Sequence, residues 1–305
     1  MFTEVAECSN SIRFDMVLAD YFLEHVVYEA ECSAISAYQE CKESAIPFDD
    51  DKKKILIEAT QKTLKDKIVA FLKTIKVKIE KMVFTLIKSL RKFCVESSNK
   101  FKKLLGRDDS IIINTRSIDI PIVFKYIEDL VSKLASTMEI SKPFIEAFKE
   151  TAENKNATPY MIQNDVMLGA EEVYQRYFSS NLGFTTLAEV RNIHVTALKI
   201  FNTARVSTRL TVKEIRDYST RIDETSKRCE LMRAEYEKYR MYINNLTESI
   251  ENNTDLEVNT IQKITIFTTT VSDIIISLSK AIAFTCRALE TQIKALVDEA
   301  EKALK

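Results

Sequence analysis

Residues Lys65–Phe93 read KDKIVAFLKTIKVKIEKMVFTLIKSLRKF. Apolar and basic residues interleave throughout, and the stretch contains no glycine or proline. An apolar residue returns every three or four positions, a spacing that only an α-helix gathers onto one face. The repeat is regular. Leu64, Ile68 and Phe71 are followed eleven residues later by Ile75, Ile79 and Met82, and eleven later again by Leu86, Leu90 and Phe93. Ser97, Phe101 and Leu104 continue it. A 4-3-4 repeat over eleven residues is about 3.67 residues per turn, which gives a straight or slightly right-handed superhelix rather than a leucine-zipper twist. The spacing predicts one helix from Lys52 to Leu105, stopped by Gly106.

Composition extends this reading to the whole chain. Of 305 residues, 46% are apolar, enough for a sizeable core. There are three glycines (Gly106, Gly169, Gly183) and four prolines (Pro47, Pro121, Pro143, Pro159). An average chain of this length carries about 21 Gly and about 15 Pro. Tight turns need those residues, so their scarcity predicts few, long helices. The expected fold is all-α: an elongated multi-helix bundle with a long C-terminal antiparallel hairpin.

The helices can be placed along the chain. Residues 10–46 form a predicted first helix, with Phe14, Val17, Leu18, Tyr21, Phe22, His25, Tyr28 and Cys32 at helical spacing, and Pro47 ends it. Residues 107–120, RDDSIIINTRSIDI, break the pattern and predict a small β-hairpin or an extended arm. Shorter helices are expected over 121–139, 143–154 and 159–179, with Ser141 and Thr158 as N-caps ahead of Pro143 and Pro159. A helix over 187–207 begins with the capping box Thr186–Glu189, and the next with Thr211–Glu214.

From there a heptad seam runs through Ile215, Tyr218, Ile222, Thr225, Cys229, Met232, Tyr236, Tyr239, Ile243, Leu246 and Ile250. After a turn capped by Thr254 and Glu257, a last helix over 255–304 carries Ile264, Val271, Ile275, Leu278, Ile282, Leu289, Ile293, Leu296 and Ala300. Two helices of 40–50 residues joined by a short turn fold back on each other, over roughly 60–70 Å. The chain therefore divides into 1–106, 107–120, 121–183 and 184–305.

Charge balances at −1 overall but not locally. Residues 1–51 hold twelve acids and two bases, a net of −10, and residues 52–103 hold sixteen bases and four acids, a net of +12. Opposite charge on consecutive helices predicts that the two pair.

Little in the chain points to chemistry. Three scattered glycines exclude a phosphate-binding loop. The two histidines, His25 and His194, are far apart, and neither follows a glutamate by three, so a di-iron bundle is excluded. The cysteines Cys8, Cys32, Cys41, Cys94, Cys229 and Cys286 form no CxxC pair and lie mainly on apolar stripes, where they act as small hydrophobes. No serine sits in a Gly-x-Ser-x-Gly elbow. No catalytic residue, metal or cofactor is expected. The opening MFTEVAECSN is acidic and unlike a secretory signal, so reduced thiols and no signal-directed secretion are expected.

The basic helix admits three roles. It can bury its stripe in a core, lie on a membrane with its lysines outward, or hold nucleic acid, for which Phe71, Phe84 and Phe93 are sparse as a stacking platform. Lysine recurs too often for it to span a bilayer. Residues 264–286, ITIFTTTVSDIIISLSKAIAFTC, are more apolar, but Asp273, Lys280 and several threonines fit a buried bundle helix better. The core role is expected to win, since amphipathic helices in globular chains bury their stripe.

The acidic YEAECSAISAYQE (28–40) followed by KDKIVAFLKTIKVKIEKMVFTLIKSLRKF (65–93) resembles the opening of helical virion proteins of large tailed bacteriophages. The likeness is one of layout and composition and covers about the first third of the chain. It implies a structural or cargo role in a particle assembled in the bacterial cytoplasm, with other structural proteins or further copies as partners. A membrane-acting helical protein and a nucleic-acid packaging protein are the alternatives.

Overall fold

The computed structural model describes residues 50–153, 169–193, 195–197, 205–252 and 258–304. The chain is predominantly helical, with one small two-stranded sheet. In chain order the elements are α1 (Asp50–Lys102), β1 (Ile112–Ile118), α2 (Ile120–Glu153), α3 (Ala170–Tyr177), α4 (Ser179–Leu182), α5 (Leu187–Arg191), β2 (Arg205–Thr211), α6 (Val212–Asn252) and α7 (Val258–Ala303). The predicted first helix over 10–46, its pairing with the basic helix, and the Thr158 and Thr254 caps lie outside the described residues.

Helix α1 matches its prediction closely. It closes with tightened turns in which the Leu104 and Leu105 amides donate to the Phe101 and Lys102 carbonyls, at 3.0 and 3.1 Å. Gly106 follows at φ 73°, a left-handed geometry that favours glycine. Asp108 then accepts from the Ser110 amide and hydroxyl (2.9 and 2.7 Å), turning the chain into β1.

Three expectations are corrected. Residues 121–139 and 143–154 are not separate helices: α2 runs unbroken through Pro143. Ser141 caps nothing and instead donates to the Met138 carbonyl at 2.9 Å. Proline forfeits one backbone hydrogen bond, and a helix embedded in a core tolerates that loss when Ile145 and Phe148 beyond it are buried. Second, β1 makes no hairpin of its own. It pairs antiparallel with β2, from Ile112↔Thr211 to Ile118↔Arg205. Third, the helix expected over 187–207 ends its first stretch at Arg191, and residues 205–211 are the partner strand. RVSTRLT is rich in β-branched residues, the composition a strand favours.

The described residues fall into two compact units, the first holding 50–75, 145–153, 243–252 and 258–269, and the second 76–144, 169–193, 195–197, 205–242 and 270–304. Helices α1, α2, α6 and α7 contribute to both.

In the second unit, contacts between α1 and α6 run in opposite senses along the chain. Glu80 meets Arg240 (3.3 Å), Phe84 meets Tyr236, Arg91 meets Glu230 (2.7 Å) and Phe101 meets Tyr218. These helices are antiparallel. Contacts of α1 with α7 rise together, Lys100 with Glu290 (3.5 Å) and Lys103 with Glu301 (3.8 Å), so that pair is parallel. Arg228 reaches Ser132 and Glu128, and Lys142 pairs with Glu235, which makes α2 parallel to α6. The four helices thus run up, down, down, up with one long crossover between α2 and α6. Within this unit α6 and α7 are antiparallel, as a hairpin requires.

The sheet sits at the junctions leading into α2 and α6. The Val212 amide donates to the Ile111 carbonyl at 3.1 Å, and Arg216 grips Asp109 through both oxygens at 2.9 and 3.0 Å. The Thr211–Glu214 box forms as predicted: the Thr211 amide donates to Glu214 (2.7 Å) and the Glu214 amide to Thr211 Oγ1 (3.2 Å). In the crossover, Thr186 accepts from the Glu189 amide, and Arg191 pairs with Asp273 at 2.7 Å, tying α5 to α7.

In the first unit, Lys73 pairs with Glu251, the Ser249 hydroxyl donates to Glu153 at 2.8 Å, and Phe148 packs edge-on against Phe267 with centroids 5.7 Å apart.

Candidate functional site

The candidate site predicted from sequence is a pair of apolar stripes, so the question is what covers them. On α1, Ile68, Ile75, Ile79, Leu86, Leu90 and Phe93 are buried, as are Ser97, Phe101 and Leu104 further on. Phe71 and Met82 are only half-buried. Their neighbours Leu72 and Val83 are fully buried instead, and Cys94 joins Phe93 inside. The eleven-residue period persists with a corrected phase: Ile68, Ile79, Leu90, Phe101; Leu72, Val83, Cys94; Ile75, Leu86, Ser97. The side chain of Leu64 is outside the described set.

On α6, Ile215, Ile222, Met232, Tyr236, Tyr239, Ile243, Leu246 and Ile250 are buried, together with Thr225 and Cys229. Tyr218 is half-buried and stacks edge-on against Phe101, centroids 6.4 Å apart. Burial pushes the Tyr236 and Tyr239 phenols well above their ordinary range. On α7 all nine predicted positions, from Ile264 to Ala300, are buried.

Polar groups inside the described core are mostly hydroxyls that satisfy themselves. Thr225, Thr247, Thr265, Thr268 and Thr285 each donate to the carbonyl four residues back, at 2.7–2.9 Å. These bonds reduce the desolvation cost of burying threonines in α7, where Thr269 and Ser279 keep buried hydroxyls without a partner among the described residues. By length and composition Lys263–Ala303 is apolar enough to cross a membrane, and 67% of its most apolar window is buried.

Three cysteines from three helices, Cys94, Cys229 and Cys286, are buried as free thiols in the second unit. Burial raises the Cys94 thiol to about 12 and the Cys229 thiol to about 11, and Cys286 rises for the same reason. Such thiols stay protonated and act as packing groups. Among the described residues, no three His, Cys, Asp or Glu side chains are arranged to hold a metal ion. His25 and His194 lie outside the described set.

Two polar features were not foreseen. At the α1–α7 contact, burial raises the carboxyl of Glu290 and a hydrogen bond shared with Glu96 raises it further. Glu96 is held below its ordinary range, first by that same bond and then by the charges of Lys92 and Lys100. In the first unit, Lys149, Ala152 and Glu153 of α2 and Asn245, Glu248, Ser249 and Asn252 of α6 line an open polar cleft of about 570 Å³.

The outer face of α1 was also not singled out by the sequence pattern. Val77, Phe84 and Val95 stay 60%, 40% and 60% exposed, interleaved with exposed Lys81 and Lys88. These positions stand apart among lysines, off the buried apolar stripe of the helix. No protein-family model, curated protein or solved structure matches this chain.

Proposed function

We propose that this chain is a non-enzymatic structural or interaction protein that assembles through helix packing, as a component of a tailed-phage particle built in the bacterial cytoplasm. The observation that carries the structural half is where the side chains of the long helices go. In the second unit, the stripes of α1, α6 and α7 are spent on packing, and the charged groups between them are spent on cross-helix ion pairs such as Arg91–Glu230 and Lys142–Glu235. The phage half rests on the layout of the first third of the sequence. Other particle proteins and further copies of the chain are the proposed partners. Mass spectrometry of gradient-purified particles from the phage encoding the chain tests the reading. Its peptides should co-migrate with capsid or tail proteins at constant ratio. A chain found in infected cells but missing from particles refutes it.

A second reading, a membrane-acting helical protein, is favoured by one observation: α7 contains a stretch long and apolar enough to span a bilayer, with internally satisfied threonines. It requires that stretch to leave its packing. Flotation of the full chain with anionic liposomes tests it.

A further inference from the structure

The two-stranded ribbon of β1 and β2, in the second unit, has two faces of different chemistry. Successive residues of a strand alternate between faces, and residues paired across an antiparallel ladder share one. The described end of the ladder fixes which face is which. Ile113 is buried and its partner Leu210 is half-buried, whereas Ile112 is 58% exposed and Arg209 is exposed. The register then assigns Asn114 and Arg116 of β1, and Arg205, Ser207 and Arg209 of β2, to the outer face.

Three arginine positions thus share a narrow face, and neither strand contains an Asp or Glu. Residues 190–213 are the longest acid-free run in the chain and hold the bases Arg191, Lys199, Arg205, Arg209 and Lys213. The acids that flank the strands are engaged elsewhere. Asp108 accepts from Ser110, Asp109 is gripped by Arg216, Asp119 accepts from the Ile122 amide at 3.3 Å, and Glu214 accepts from the Thr211 amide. Arg209 makes no ion pair among the described residues. A basic face without acids calls for a polyanion. Its shape selects among them. Strands of this length make a ribbon about 24 Å long with strands about 4.8 Å apart. The major groove of B-form DNA, about 12 Å wide, admits such a ribbon, and arginine and asparagine are the residues that pair with guanine and adenine there. The major groove of A-form RNA is too narrow to be read this way.

We infer that the outer face of the β1–β2 ribbon is a binding site for duplex DNA, entered through the major groove, with Arg116, Arg205 and Arg209 supplying the charge. The site is distinct from the basic helix α1, whose Lys73, Arg91, Lys92 and Lys100 are engaged by Glu251, Glu230, Glu96 and Glu290. DNA binding is additional to the assembly role proposed above, and the chain can be a particle component without it.

The test is fluorescence anisotropy of a labelled random-sequence DNA duplex of about 20 base pairs, titrated with the full-length chain at about 50 mM and about 200 mM salt. The wild type should bind, and its affinity should fall as salt rises. Arg116→Gln, Arg205→Gln and Arg209→Gln together should weaken binding about 100-fold and make the log–log salt slope shallower by about three. Arg116→Lys, Arg205→Lys and Arg209→Lys together keep the charge and should keep binding within about 10-fold, which separates lost charge from lost fold. Unchanged circular dichroism shows that both variants fold. Lys81→Gln with Lys88→Gln, on the exposed face of α1, should leave affinity unchanged. Duplex RNA of the same sequence should compete at least about 10-fold more weakly. A wild type that does not bind the DNA at the lower salt overturns the inference. So does binding that survives the three glutamine substitutions, that the lysine variant loses as fully, or that Lys81→Gln/Lys88→Gln removes instead. Equal competition by duplex RNA or by phosphatidylserine vesicles shows a general anion surface and equally overturns it.

Discussion

The phase of α1 can be tested by truncating two adjacent residues. The sequence stripe runs through Met82, whereas the structure turns Val83 fully inward and leaves Met82 half-buried. Val83→Ala removes two buried methyl groups, worth about 1.6 kcal/mol of transfer free energy at ~0.8 kcal/mol each. The cavity left behind adds about 1 kcal/mol, and the better helix propensity of alanine returns about half that, leaving a loss of about 2 kcal/mol. Met82→Ala deletes a larger side chain, yet half of it already faces water, so its cost should be about 1 kcal/mol. The smaller residue should therefore cost more. Equilibrium urea unfolding followed at 222 nm reads the difference as a shift in midpoint at constant slope. The aspartate pair widens the gap: Val83→Asp buries an unpaired carboxylate and should cost several kcal/mol, whereas Met82→Asp can turn its charge outward. If Met82→Ala costs as much as Val83→Ala or more, the packing argument for α1 is wrong.

Three other outcomes follow from the same core. Ile79, 2% exposed, should tolerate no charge: Ile79→Asp should unfold or aggregate the chain, and a folded variant that had merely lost binding to anionic liposomes would support the membrane-acting reading instead. The buried hydroxyl of Tyr239 has no hydrogen-bond partner among the described residues, so Tyr239→Phe should raise stability by about 1 kcal/mol, and a lowered melting temperature would show that the hydroxyl is satisfied. Glu290 has its carboxyl raised in the fold, so its contribution is fully present below the ordinary glutamate range and is lost as pH rises through the raised value. Glu290→Gln should accordingly stabilise the chain more at pH 8 than at pH 4, with thermal melts at the two pH values as the measure; an equal effect at both would refute the shared-proton contact with Glu96.

What the sequence by itself determined is periodicity. Scarce glycine and proline, together with apolar residues at helical spacing, were sufficient for an all-α chain and for the spans of α1 and α7. The α6 seam was legible residue by residue from Ile215 to Ile250, because the seam residues recur at steps of three and four and most of their neighbours are polar, Leu231 and Met241 being exposed exceptions. On α1 the choice was open. Phe71 and Leu72, and Met82 and Val83, are apolar neighbours about 100° apart on the helix, so the eleven-residue period fits either set there, whereas Phe93 and Cys94 both go inside. Only the packing of the folded chain turned Leu72 and Val83 fully inward and left Phe71 and Met82 half-buried. Pro143 reads as a boundary in local sequence, and only burial on both sides of it keeps α2 continuous. Strand β2 was invisible for the same reason. Seven residues with mixed propensity become a strand only when β1, about ninety positions earlier in the chain, supplies the hydrogen bonds, and no local pattern records a partner that distant.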